Sequence, residues 1–71
     1  MNNKFKLLDV VALLKNIPEK NLLMGQVGTI VEELAIDVYE VEFTGNKGET
    51  IALETVKSAD LLLLHYELET V

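Results

Sequence analysis

The clearest pattern in the chain lies over residues 37–43, where Tyr39, Val41 and Phe43 alternate with Glu40 and Glu42. Period two with β-branched and aromatic residues predicts a half-buried strand, apolar side chains inward and acids outward. Residues 50–55 regain a strand-like composition after Thr44-Gly45-Asn46-Lys47-Gly48-Glu49. The two segments are expected to pair as a hairpin with a loop of about five residues. Upstream, residues 27–33 read as a further strand, and Gly28 inside it suggests a bulge or sharp bend.

Residues 5–14 fit two periods. A helix would align Leu7, Val11 and Leu14, whereas a strand would turn Val11 and Leu13 inward. The adjacent valines and the polar stretch 16–21, which holds the single proline Pro18, favour a strand over 9–14. Residues 57–60 suit one 3₁₀ turn with Ser58 as its cap. The four-leucine run 61–64 admits a helix capped by Asp60, yet a strand there leaves five short strands without a long connection. The pattern therefore predicts an all-β fold: a small five-stranded SH3-like barrel with a short 3₁₀ turn before the last strand. It occupies residues 1–71 as one domain, with 65–71 as an extended or flexible tail. Closing such a sheet removes exposed edges.

Composition agrees with this reading. Hydrophobic residues make up 49% of 71, enough aliphatic content to argue against disorder. Without cysteine the chain has neither a disulfide framework nor a Cys-ligated zinc site to support so small a core. No run approaches the ~18 apolar residues of a membrane span, and Asp9 and Lys15 bracket the first apolar stretch, so a cytoplasmic protein is expected.

Several segments resemble a family of short bacterial proteins known only as a domain of unknown function (family 4926). They are Phe5-x-Leu7-Leu8-Asp9-Val10-Val11-Ala12-Leu13, Ile17-Pro18-Glu19, Gly25-Gln26-Val27-Gly28-Thr29-Ile30-Val31-Glu32, Tyr39-Glu40-Val41-Glu42-Phe43 and Thr50-x-Ala52-Leu53. The resemblance implies the fold and no activity; by association alone it suggests an antitoxin or immunity role. Gly25-x-x-Gly28-Thr29-Ile30-Val31 is also similar to the KOW-type strand of ribosomal and transcription proteins. Two glycines at that spacing more often serve backbone geometry than contact.

Candidate chemistry is sparse. Ser58 suits a cap better than a nucleophile, and His65 with Glu67 is the one pairing that suggests a small metal or ligand site. Glu40 and Glu42 sit two apart on one strand, unlike a catalytic pair across a cleft. No enzyme activity, cofactor or metal is expected.

Charge changes the picture more. Formal net charge is −6, but it is uneven: residues 1–24 carry +2 and residues 25–71 carry −8. Such a balance opposes phosphate binding and so disfavours a nucleic-acid partner. A basic protein partner is its electrostatic complement. Apolar residues also exceed what a small barrel buries: Leu22, Leu23 and Met24 fall in an expected surface loop, and two of the four leucines must face outward, Leu61 and Leu63 or the reverse, with Leu61 and Leu63 taken as the outward pair. The resulting expectation is a non-enzymatic interaction module that binds a protein or self-associates as a homodimer. Its contact residues would be Leu22, Leu23, Met24, Glu40, Glu42, Leu61 and Leu63.

Overall fold

Short β-branched segments separated by turn residues can bury their apolar faces only by pairing with one another. In the computed structural model, which describes residues 4–45 and 47–64, they form one antiparallel five-stranded sheet. The strands are β1 (Val10–Leu13), β2 (Val27–Ala35), β3 (Val38–Thr44), β4 (Thr50–Lys57) and β5 (Leu61–Leu63). One 3₁₀ turn, Pro18–Lys20, lies between β1 and β2, and a second, Ser58–Asp60, joins β4 to β5. The order β4-β3-β2-β1-β5 is a meander whose last strand returns beside the first, as expected for an SH3-like fold. Closure goes less far than expected. Among the described residues β4 and β5 remain edge strands, linked through the second 3₁₀ turn.

The core lies on one side of this curled sheet. Val11 and Leu13 from β1, Ile30 from β2, and Tyr39, Val41 and Phe43 from β3 are fully or almost fully buried. The period-two pattern of β3 is thus realised as predicted. Phe5 covers one end: its ring meets Tyr39 edge-on at 5.4 Å between centroids, and its backbone N–H donates to the Tyr39 hydroxyl at 3.2 Å. Aromatic pairs favour this perpendicular geometry because the ring edge is positive and the face negative.

Several expectations are corrected. Leu22 belongs to the core and not to a surface loop. Ile17 and Leu22 exchange backbone hydrogen bonds across the first 3₁₀ turn, with Asn21 in the left-handed conformation, so this connection folds back and both side chains point inward. In the leucine run the parity is the reverse of that expected. The register Leu13↔Leu61 and Val11↔Leu63 puts Leu61 in the core and packs Leu63 against it, while Leu62 faces out beside Ala12. Gly28 is not a bulge. The irregularities of β2 fall after Ile30 and after Glu33, and Gly28 pairs regularly with both Val11 and Phe43. Ser58 is not a cap either: it is the buried first residue of its turn, which Lys57 precedes with no side-chain cap bond.

Leu8 combines two costs. It is 74% exposed and has φ 72°, at a tight turn in which Asp9 N–H donates to Lys6 C=O. The left-handed region costs an L-residue roughly 1–2 kcal/mol, and glycine escapes that cost but loses about 0.5–1 kcal/mol of chain entropy. Leu8→Gly is therefore expected to stabilise the protein by about 0.5–1 kcal/mol. Urea denaturation measures it, and a lower midpoint would show that the leucine side chain contributes more than its conformation costs.

Candidate interaction face

Alternation that buries one face of a strand presents the other to solvent, and register then decides which outward residues become neighbours. Three rows cross the outer face. The first runs Leu62–Ala12–Val27 over β5, β1 and β2. It is wholly apolar, with Leu62 51% and Val27 40% exposed on either side of a small, covered alanine. The second runs Val10–Thr29–Glu42–Leu53 over β1 to β4 and changes from apolar to acidic and back. The third places Glu32 directly opposite Glu40, with Thr55 beyond. Like charges directly opposite on neighbouring strands repel and reduce stability.

The acids of this face have little cationic compensation. The ion pairs Lys15–Asp60 (3.2 Å) and Lys20–Glu54 (3.8 Å) involve neither Glu32, Glu40 nor Glu42. Glu42 accepts a hydrogen bond from the Thr50 hydroxyl, which orients its carboxylate along the face without neutralising it. Of the charged residues on β2, β3 and β4, register puts Glu32, Glu40, Glu42 and Lys57 on this face, whereas Glu33, opposite Tyr39, and Glu54, opposite Val41, belong to the other. The strands β1 and β5 carry no charge, so the face divides into an apolar half and an acidic half.

Of the residues expected to make contact, Glu40 and Glu42 lie on this face, each half-buried between neighbouring strands. Leu23 and Met24 are more than 60% exposed in the turn that follows, where Gly25 N–H donates to Leu13 C=O and Met24 N–H to Asn16 Oδ1. That turn therefore sits beside the end of β1, next to exposed Leu14. Leu22 and Leu61 are unavailable because they are core, and Leu62 takes the outward place expected of Leu61 and Leu63. Sequence reasoning also missed Val27 and Leu53. Only strand register makes them neighbours of Leu62 and Glu42, and nothing in local spacing specifies it.

Other chemistries find less support. Phe5, Tyr39 and Phe43 are all buried, so among the described residues no aromatic ring is free to stack on proline or on a base. No group of three metal-ligating side chains occurs among the described residues, and the His65–Glu67 pairing lies outside them. No helix among the described residues is long and apolar enough to cross a membrane.

A family model described as a domain of unknown function (DUF4926) matches residues 7–63. No curated protein and no solved structure matches the chain.

Proposed function

The chain belongs to that family of unknown function, and from this premise we propose that it is a non-enzymatic module that binds a basic segment of a protein partner. The observation that carries the reading is the divided outer face. An apolar row, Leu62–Ala12–Val27, lies beside an acidic half in which Glu32 and Glu40 oppose each other in register. The apolar row supplies burial, and the acids steer and select a cationic partner. A partner cation between Glu32 and Glu40 would turn a repulsive pair into an attractive site. Neutralising a partner, in the manner of an antitoxin or immunity protein, and service as an accessory subunit are two forms this activity can take.

Affinity capture from host extract tests the proposal. At ~50 mM salt, where charge screening is weak, the native protein is expected to retain a basic protein. Glu40→Lys combined with Glu42→Lys should reduce retention by about tenfold, as should Leu62→Ser. Equal retention by all three baits would exclude this face as the site.

A further inference from the structure

Resting on the proposed binding of a basic partner, we infer the mode of binding: a cationic, extended segment of the partner joins the sheet as an added strand along the outer edge of β4. The two edges of the sheet differ in length. β5 has three residues, whereas β4 has eight. A free edge is a template for another strand, and proteins usually blunt it by shortness, charge or irregularity. β5 is blunted by its length. On β4 the register with β3 is uninterrupted from Val38↔Lys57 to Phe43↔Ala52, and its one irregularity lies beyond, between Phe43 and Thr44.

The hydrogen-bond phase shows which groups face outward. Ser58 N–H donates to Asp37 C=O at 2.9 Å, one position beyond the Val38↔Lys57 pair. That arrangement flanks a non-hydrogen-bonded pair in an antiparallel ladder. Val56 and Glu54 then direct their N–H and C=O groups toward β3, and Leu53, Thr55 and Lys57 direct theirs to the open edge. Among the described residues no strand pairs with that side. Strand addition needs such a row of alternate donors and acceptors.

Charge selects the occupant. A second copy would set two acidic sheets edge to edge, each in a chain of net charge −6. A cationic strand meets the opposite field. Its outward side chains would lie beside exposed Leu53 and about 10 Å, two strand spacings, from the line of Glu40 and Glu42 on β3. A lysine and a glutamate can span that distance together.

The test uses two blocked nine-residue peptides that alternate lysine and valine, one plain and one with every second backbone amide methylated. The plain peptide is expected to bind at least tenfold more tightly. It should also slow amide exchange of Leu53, Thr55 and Lys57 at least tenfold, as followed by NMR of the whole chain. Equal binding of the two peptides, or no binding by either, would overturn strand addition. Unchanged exchange at those three amides would overturn it too. If Glu40 and Glu42 signals still shift in that last case, the outer face stands as a binding surface without the added strand. Protection of the three amides in the free protein, with a solution mass near twice 7.9 kDa, would show that a second copy occupies the edge instead.

Discussion

Gly28→Ala is expected to remove most of the protein's stability and leave the fold marginal at room temperature. A Cβ at this position would lie 2.7 Å from Val41 Cγ1, 2.8 Å from Phe43 Cδ1 and 2.9 Å from the Glu42 carbonyl oxygen. Val41 and Phe43 are fully buried, and Glu42 is held by pairing on both sides, with Thr29 and Leu53. None of the three can retreat without disturbing β3, the strand that supplies Tyr39, Val41 and Phe43 to the core. Overpacking typically costs 1–3 kcal/mol and occasionally more; with a backbone atom among the clashes we expect about 3 kcal/mol. A disulfide-free domain of this size has only about 3–5 kcal/mol in total. Gly25→Ala is the informative control. Its Cβ would meet nothing within 4 Å, but its φ of +92° disfavours any side chain, so a loss of about 1 kcal/mol is expected. Circular dichroism during urea denaturation separates the two. An unchanged midpoint for Gly28→Ala would mean that β2 and β3 are farther apart than described.

Tyr39→Ala should be as damaging, for the opposite reason. Removing a fully buried aromatic side chain from this core is expected to cost about 3–5 kcal/mol through lost burial and the cavity it leaves. It would also release Phe5, which is held by ring contact and by the hydroxyl. Tyr39→Phe isolates the second of these. The ring contact survives, the Phe5 N–H loses its buried acceptor, and a loss of about 1–2 kcal/mol follows. Thermal denaturation of both variants should place Tyr39→Phe between the native protein and Tyr39→Ala. A Tyr39→Phe variant as stable as the native protein would show that the hydroxyl contributes nothing.

The strands that were legible in the sequence are those whose alternation is strict. β3 could be read directly because Tyr39, Val41 and Phe43 alternate with acids, and β4 followed from the glycine turn before it. The leucine run was different: four identical side chains carry no phase, so Leu61 and Leu62 can be told apart only by their pairing with Leu13 and Ala12. Leu22 misled for a related reason. It opens an apolar run just after a polar stretch, and its burial depends on a backbone bridge to Ile17 that no local pattern announces. Gly28 was recognised as special, but the physical reason lay in its neighbours on β3. The acidic half of the outer face was visible as Glu40 and Glu42. The opposition of Glu32 to Glu40, and the row that joins Leu62 to Val27, exist only once the register is known.

Binding of a basic partner on the outer face of the sheet would perturb the residues of that face. Its most direct test is amide chemical-shift mapping of the isotope-labelled protein with the basic protein that it retains at low salt. The largest shifts are expected on Val27, Thr29, Glu40, Glu42, Leu53 and Leu62, and they should diminish as salt is raised. Shifts confined to Gly45, Gly48 and Glu49 or to the exposed turn at Leu7 and Leu8, or a partner bound equally well at high salt, would contradict binding at the outer face.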